Sequence, residues 1–424
     1  MKPAAFAILF SLFVAVPSWV TATSPLHIVG LFPLTSVPGW LASLSTQCLV
    51  AIDMAIEDIN NREDLLAEYE LTFVHNDTRG SQGIALNLLY DHLYSPPTKI
   101  AVFGEIMSSI TEPTAEVTGL WHVLQFAFAT SSMRLSDRNT YPHFFRTTTS
   151  AADMNPAIRD IMYQFGWYRV ATLHETVEPH SGVTNNLLSV LESTNISVEA
   201  AESFLGDPRE ALQRLKAKDM RIVVINVYES TARQVFCQAH KLGMFGQKYA
   251  WFLPGYYSLN WWQRVGAGIN CTVAEMEEVI DGYLTVTFSM NSLDDDVTVS
   301  GQTPPAFRAR VRDALGEDVD FGQSPAANAY DSTWATAFAL NDSLSDIEPK
   351  TLNMFEYFNE EMTDTFTEKM EALSFEGVSG PISFKGADRQ GPFLIEQWRV
   401  LCISQTRTLI IKPHHDIFWC RDQD

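Results

Sequence analysis

The chain is poor in basic residues: 29 lysines and arginines stand against 51 aspartates and glutamates, which gives a formal net charge of −22. This acidic balance argues against nucleic acid as a partner, because phosphate binding needs clustered positive charge. After residue 22, no stretch approaches the roughly 20 apolar residues that a membrane-spanning helix needs. We therefore expect neither a nucleic-acid-binding protein nor a membrane span in this part of the chain.

The sequence also lacks the short motifs of common catalytic and cofactor sites. It has no Gly-x-Ser-x-Gly elbow, no phosphate-binding P-loop, no Cys-x-x-Cys pair and no His-Glu-x-x-His zinc motif. His414 and His415 lie near Cys420, but they lack the ligand spacing of a metal site. We therefore expect a binding protein with no catalytic residues, no metal and no cofactor.

The composition is that of a folded, exported protein. With 424 residues, 46% of them hydrophobic and 19% charged, the chain suits about two domains. Its first 22 residues read as a signal peptide, because Lys2 precedes an apolar run over Ala4–Val16 and a small-residue cleavage site that ends at Ala22. We expect cleavage near Ala22.

Export makes the five cysteines candidates for disulfide bonds. Cys237 and Cys271 flank one strand-and-loop unit, Cys402 and Cys420 bracket the C-terminal segment, and Cys48 is left over. The odd count leaves the pairing open. Four Asn-x-Ser/Thr sequons favour a glycosylated exterior, and they lie at Asn76, Asn195, Asn270 and Asn341.

Strand and helix patterns alternate along most of the chain, which is typical of parallel α/β sheets. One series starts with a strand over Leu26–Leu34, and a second follows Thr147. After a polar loop over Asn291–Thr303, late helices return in a position to rejoin the first series. We expect two lobes, formed by residues 25–150 plus 291–376 and by residues 151–290 plus 377–400, with a C-terminal segment over 401–424.

Two apolar strands each end in a pair of serines. The strand over Lys99–Glu105 leads to Ser108-Ser109, and the strand over Val123–Ala129 leads to Ser131-Ser132. Hydroxyls beyond the carboxyl ends of neighbouring parallel strands lie where open α/β sheets bind small ligands, and helix N-termini there favour an anionic group. The pattern indicates a carboxylate site, and the alternative is that these serines only cap helices.

The chain resembles the ligand-binding ectodomain of the metabotropic GABA (type B) receptors, which are class C G-protein-coupled receptors. The resemblance runs from about Leu26 to Trp398. Its motifs are MAIEDINNREDLLAEYEL (Met54–Leu71), YPHFFRTTTSAADMNPA (Tyr141–Ala157), YESTARQVFC (Tyr228–Cys237), KYAWFLPGYY (Lys248–Tyr257), NWW (Asn260–Trp262), INCT (Ile269–Thr272), AYDSTWATAFALN (Ala329–Asn341) and FEGVSGPISF (Phe375–Phe384). The resemblance implies a two-lobed type I periplasmic-binding-protein (Venus flytrap) fold, with a mainly parallel sheet and helices on both faces in each lobe.

The resemblance also implies roles for individual residues. Ser108 and Ser131 match serines that hold the ligand carboxylate, Tyr228 matches a second-lobe tyrosine that closes over the ligand, and Trp40 is the nearest counterpart of a tryptophan that packs on it. On one helix, three residues match positions through which first lobes pair in receptor dimers: Leu89, Tyr90 and Tyr94. An ordinary amphipathic helix with surface tyrosines is the alternative for this last group.

Three positions depart from the agonist-binding subunit of that family. Tyr256 replaces a second-lobe tryptophan, and Thr148 replaces a histidine. The acidic partner of the ligand's ammonium falls near Ser324 or Pro325, neither of which is an anion. Because an unpaired buried ammonium is costly, we expect weakened or abolished binding of GABA itself.

We expect an extracellular receptor module that binds a small amino-acid-type carboxylate between its lobes and signals by lobe closure in a homo- or heterodimer. A G protein is a partner only if a membrane domain exists beyond this chain, and the module then lies on the outer side of the plasma membrane. One alternative is a ligand-silent subunit that pairs with a sensing one. The other is a free secreted binding protein, which applies if the chain is complete.

Overall fold

The computed structural model describes residues 23–424, except for 259, 265–268, 293, 317–318, 320, 322–323, 400–406, 412–416 and 420–424. The predicted signal peptide lies outside the described residues. Numbered along the chain, the strands are β1 (Ser24–Phe32), β2 (Tyr69–Asp77), β3 (Lys99–Phe103), β4 (Leu124–Ala127), β5 (Phe144–Arg146), β6 (Arg169–Glu175), β7 (Ser197–Phe204), β8 (Ile222–Asn226), β9 (Ala250–Pro254), β10 (Leu284–Phe288), β11 (Ser374–Gly377), β12 (Gly380–Lys385), β13 (Asp388–Arg389), β14 (Phe393–Gln397), β15 (Arg407–Ile411) and β16 (Ile417–Trp419). The α-helices are α1 (Gly39–Asn60), α2 (Gln82–Tyr94), α3 (Ser108–Leu120), α4 (Asn155–Gln164), α5 (His180–Glu192), α6 (Arg209–Ala217), α7 (Glu229–Lys241), α8 (Val273–Ile280), α9 (Pro304–Leu315), α10 (Ala326–Ser343) and α11 (Glu360–Ala372).

The strands form two sheets. Within the described part of the chain, the first has the order β11-β12-β13-β5-β4-β3-β1-β2 and the second the order β16-β15-β14-β10-β9-β8-β6-β7. Strands β1–β5 and β6–β10 pair in parallel. Late strands add antiparallel pairs at one side of each sheet. The predicted fold class of two mainly parallel α/β sheets is therefore confirmed.

Each sheet contains one point at which the direction of strand addition reverses. In the first sheet, β1 continues through α1 to β2 on one side, whereas β3 continues through α3 to β4 on the other. In the second sheet, the same reversal separates β6 from β8. Because such crossovers are right-handed, opposite directions place the helices on opposite faces and leave a crevice at the carboxyl ends of the two strands.

The late helices complete the core of the first sheet. Ile52 of α1, Phe307 of α9 and Trp334 of α10 are at most 1% exposed and belong to one apolar cluster with the strands. Burying a side chain of this size contributes about 1.5–3 kcal/mol. Among the described helices, α1 alone is long and apolar enough to cross a membrane. Its place inside this cluster instead makes it a core helix of the first lobe.

The predicted boundary at residue 377 differs from the sheet membership. That boundary assigns residues 377–400 to the second lobe, whereas β12 and β13 hydrogen bond within the first sheet. The cause is a buried contact with α10: the Asp331 carboxylate accepts hydrogen bonds from the backbone amides of Val378 (3.0 Å) and Ser379 (2.8 Å). Of the described strands that begin after residue 377, only β14, β15 and β16 belong to the second sheet.

The chain passes between the two sheets three times within the described residues. The passages follow β5, β10 and β13. The first passage leaves the carboxyl end of β5, which lies beside that of β4. It contains a short 3₁₀ helix over Ala151–Met154.

Candidate ligand-binding cleft

The first serine pair lies at the crevice of the first sheet. Ser108 is the first residue of α3, and the N-cap residue is Met107, whose side chain makes no capping hydrogen bond. The Ser108 hydroxyl instead accepts a hydrogen bond from the backbone amide of Ser132 at 3.3 Å. The helix-cap alternative is therefore wrong for Ser108, which links α3 to the loop that follows β4.

The second serine pair divides its roles. Ser132 is the capping residue, because its hydroxyl accepts from the amide of Arg134 (3.3 Å) and donates to the Glu112 carboxylate (2.6 Å). The Ser131 carbonyl accepts from the amide of Ala151 (2.9 Å), whereas its hydroxyl has no partner in the described part of the chain. Within this pair, Ser131 is thus the residue with a free hydroxyl.

A buried arginine holds the loop around Ser131. Arg146 is fully buried, and its guanidinium donates to the carbonyls of Thr130 (3.1 Å) and Ser132 (2.8 Å), the two neighbours of Ser131. The same group pairs with the Asp388 carboxylate at 2.5 Å. Because a guanidinium presents several donors in a fixed plane, this contact sets the position of the Ser131 backbone.

The turn that precedes α3 already carries a carboxylate from this chain. Glu105 is fully buried and accepts from the amides of Ile106 and Met107, both at 3.2 Å, and from the Thr78 hydroxyl. Burial raises the pKa of Glu105 to about 7. These two amides are therefore occupied, and the charge of Glu105 depends on pH near neutrality.

Two tyrosines mark the crevice of the second sheet. Tyr228 is the N-cap residue of α7; its hydroxyl donates to the Glu178 carbonyl at 3.4 Å, and its ring packs edge-on against His180 with centroids 4.4 Å apart. Tyr256 follows β9 and donates to the Val227 carbonyl at 3.2 Å. The two side chains are 46% and 44% exposed, so a ligand in the crevice has access to both rings.

A cavity of about 550 Å³, including its open mouth, lies against these elements. The described residues that line it are Ser131, Ala151, Met154, Asn155, Ile158, Pro179, His180, Val183, Val224, Ile225, Asn226, Phe252, Leu253, Pro254, Tyr256 and Val286. It therefore brings Ser131 of the first lobe together with Tyr256 of the second. Most of the wall is apolar and comes from the second lobe.

Four predicted ligand residues do not line this cavity: Ser108, Tyr228, Trp40 and Thr148. Ser108 contacts Ser132, the neighbour of the lining residue Ser131, and Tyr228 packs against the lining residue His180. Trp40 lies in the first turn of α1 and is 55% exposed, and Thr148 is buried at 5% exposure. Thr148 therefore contributes no wall to this cavity, because its side chain packs inside the protein.

Sequence reasoning missed the polar wall of the second lobe. Asn155, His180 and Asn226 line the cavity, and His180 is only 3% exposed with no partner for its Nε2 atom. Burial, with a smaller effect of His174, lowers the pKa of His180 to about 4, so the ring is neutral at pH 7. Their positions relative to the strand ends could have indicated these residues, because Asn226 is the last residue of β8 and His180 is the first residue of the helix that follows β6.

Helix α2, which carries the three residues predicted to pair in a dimer, has one side that faces the core and one that faces solvent. Leu89 is fully buried in the first core, so the prediction that it contacts a partner is wrong. Tyr90 and Tyr94 lie one turn apart on the outer side, and they are 39% and 76% exposed. Together with Trp121 and Phe358, which extend the ring contacts at centroid distances of 4.9–6.3 Å, they form the aromatic patch.

One predicted disulfide is confirmed. Cys237 in α7 and Cys271 before α8 are bonded, with their Cα atoms 5.6 Å apart. Cys48 is a free thiol, buried on α1. Cys402 and Cys420 lie outside the described residues.

The four sequons differ in accessibility. Asn195 and Asn270 are exposed, whereas Asn76 and Asn341 are partly buried. The Asn76 Oδ1 atom lies 2.6 Å from His92 Nε2, and the Asn341 Oδ1 atom accepts from the Leu66 amide at 3.1 Å. Glycosylation at all four sites stays a prediction.

Comparison with known proteins shows the family to which the chain belongs. The family model described as "Receptor family ligand binding region" matches residues 47–400. The chain is 35% identical to gamma-aminobutyric acid type B receptor subunit 1 of Mus musculus over 378 residues, 34% identical to subunit 1 of Caenorhabditis elegans over 385 residues, and 32% identical to subunit 2 of Rattus norvegicus over 384 residues.

These alignments cover 88–89% of this chain but 39–42% of the relatives, so the chain spans about two fifths of their length. Both receptor subunits are matched over nearly the same extent. The chain thus belongs to the receptor ligand-binding-region family, as a GABA-B-like ectodomain of the class C G-protein-coupled receptor type.

Proposed function

We propose that this chain is the extracellular ligand-binding module of a GABA-B-like receptor and that it binds a small amino-acid-type carboxylate between its lobes. The observation that carries the proposal is the shared cavity, in which Ser131 of the first lobe faces the same space as Tyr256 of the second. In this arrangement the hydroxyls of Ser108 and Ser131 hold the carboxylate, while Tyr228 and Tyr256 cover the rest of the ligand.

The signalling step in this proposal is a population shift. A ligand that contacts both lobes binds the closed arrangement more tightly than the open one, and only that difference in affinity drives closure. The three chain passages between the sheets permit this movement without unfolding either core. Closure in one protomer is then transmitted to a second receptor subunit through the first lobes.

The aromatic patch is the surface proposed for that pairing. Tyr94 is 76% exposed, and its ring is held edge-on against Trp121 at 5.0 Å. Exposed aromatic side chains that are already fixed in position are favourable at interfaces, because little side-chain entropy is lost on binding. Coupling to a G protein and a location at the outer side of the plasma membrane follow from this proposal for the full-length receptor.

The serine assignment is tested by calorimetry on the purified ectodomain. After a thermal-shift panel of α- and ω-amino acids has identified a binding compound, we expect the Ser108→Ala/Ser131→Ala double variant to weaken its affinity by roughly tenfold or more, the effect of lost hydrogen bonds to a charged group. Ser193→Ala is the matched control, because this exposed serine lies just past the far end of α5. Unchanged affinity in the double variant would refute the assignment.

A ligand-silent partner subunit is the second candidate, and one observation favours it. Ser324, at the position expected for an acidic residue, is fully buried, and its hydroxyl accepts from the Ala326 amide at 3.3 Å. It therefore serves the start of α10 and offers no charge to a ligand. An ectodomain that dimerises with a related first lobe yet shows no thermal shift with any amino acid supports this candidate.

A further inference from the structure

The first-lobe position at which an acidic partner for a ligand ammonium group is expected holds Ser324. Ser324 is buried and neutral, and its hydroxyl is used within the chain. An ammonium group transferred from water into a partly apolar cavity is costly unless an anion or several acceptors receive it. Any anion for an amino-acid ligand must therefore come from elsewhere in the cleft.

Glu175 is the last residue of β6, at the crevice of the second sheet. The residue before it, His174, lies opposite Asn226 in the register of β6 with β8, and Asn226 lines the cavity. The Glu175 side chain is partly buried, and both of its carboxylate oxygens accept from the Thr231 hydroxyl, at 3.2 and 3.3 Å. This hydroxyl fixes the carboxylate beside the start of α7, which Tyr228 caps.

The charge of Glu175 is not neutralised by the protein. Within the described part of the chain, no lysine, arginine or histidine pairs with it. The nearby Glu229 is different, because it pairs with Arg233 (3.1 Å) and Arg264 (3.3 Å) and also accepts from Ser258. Unlike Glu229, Glu175 therefore has no cationic partner among the described residues, and it is near the cavity without being one of the residues that line it.

The field of Glu175 reaches both tyrosines of the cleft. Burial raises the pKa of Tyr228 and of Tyr256, and the Glu175 carboxylate adds to both shifts. Tyr256 lines the cavity, and Tyr228 packs against His180, whose buried Nε2 atom has no partner. His180 and Tyr256 thus line the second-lobe side of the cleft, Tyr228 contacts His180, and Glu175 is close enough to act electrostatically on both tyrosines. Such a combination suits an ammonium group.

We propose that the Glu175 carboxylate binds the ammonium group of an amino-acid ligand whose carboxylate is held by the first-lobe serines. This assignment rests on the ligand-binding function proposed above. The counter-charge for the ammonium group then lies on the second lobe and not on the first. The carboxylate end of the ligand binds the first lobe and the ammonium end binds the second, so the ligand bridges the two lobes. Closure then depends on the ammonium group, because a ligand without it has no charged contact with the second lobe.

The test uses Glu175→Gln, with Glu192→Gln as the matched control. Glu192 lies exposed at the other end of α5, so its substitution removes the same charge from the same lobe without touching the cleft. Three probe pairs are titrated by calorimetry: γ-aminobutyrate with butyrate, β-alanine with propionate, and L-glutamate with glutarate. Thermal unfolding of both variants verifies that they are folded.

We expect the wild type and Glu192→Gln to bind at least one amino member, and Glu175→Gln to bind it roughly ten- to hundredfold more weakly. Affinity for the matching deaminated acid should stay within about twofold in both variants, since that acid makes no contact with Glu175. Equal affinity of the wild type and Glu175→Gln for the amino member would overturn the assignment.

Two further outcomes separate this assignment from the function on which it rests. A wild-type protein that binds only deaminated acids contradicts the role of Glu175 and leaves the carboxylate-binding function intact. A wild-type protein that binds none of the six probes contradicts both.

Discussion

Replacing Arg146 with methionine tests whether one buried ion pair positions the proposed ligand residue. The Arg146 side chain is fully buried, and the Asp388 side chain is 10% exposed. In Arg146→Met the carboxylate of Asp388 stays buried without its cation, and breaking such a pair costs about 3–5 kcal/mol of unfolding free energy. The carbonyls of Thr130 and Ser132 also lose their donor.

The variant should affect stability and binding together. Denaturant unfolding at pH 7 should show the loss of about 3–5 kcal/mol. Calorimetry with an amino acid that binds the wild type should show weaker affinity, because the loop that carries Ser131 is no longer fixed on both sides. Arg146→Met/Asp388→Leu should recover most of the stability, since no buried charge remains.

Asp388→Asn separates the two effects. This variant removes the charge of the partner but leaves the guanidinium bonded to the two carbonyls around Ser131. We expect reduced stability with nearly normal affinity. If Arg146→Met costs less than about 1 kcal/mol, or if it lowers stability while affinity stays unchanged, Arg146 does not position Ser131.

Two further predictions concern the first lobe. Because burial raises the pKa of Glu105 from 4.5 to about 7, the folded state binds its proton more tightly than the unfolded state, and the wild type should lose roughly 3 kcal/mol of stability as pH rises from about 4.5 to 7. Glu105→Gln should lack this decline in unfolding measurements from pH 4 to 8, and a pH-independent difference between the two proteins would contradict the shift. Tyr94→Ala should weaken dimerisation in sedimentation equilibrium by roughly tenfold without changing stability, whereas Tyr168→Ala, an equally sized change at a 45% exposed second-lobe tyrosine, should not.

The sequence determined the elements and the class of fold. The apolar run that contains β3 predicted a strand buried on both faces, and all five residues of Lys99–Phe103 are buried. The central residues of β8 are buried as well. These features depend on local periodicity and on backbone hydrogen bonding between successive strands, so they are readable along the chain.

The sequence also predicted a candidate site at the carboxyl ends of the strands, and the ligand-binding role of that edge stays a prediction. Ser131 and Tyr256 follow β4 and β9, and both line one cavity. Strand ends are visible in a sequence, and the carboxyl ends of parallel strands share one edge. The resemblance to a receptor family added the roles of these residues, which position alone does not specify.

Only the tertiary structure decided which side chain of each group is available. The Ser132 hydroxyl caps a 3₁₀ helix, whereas the Ser131 hydroxyl has no partner in the described part of the chain. The loop that carries both serines is held by Arg146, which pairs with Asp388, 242 residues further along the chain. Leu89 points into the core and Tyr94 out of it, although both lie on one helix. The unpaired charge of Glu175 likewise depends on the absence of a cation from every described element around it. Such outcomes are set by contacts between distant segments, which no local pattern contains.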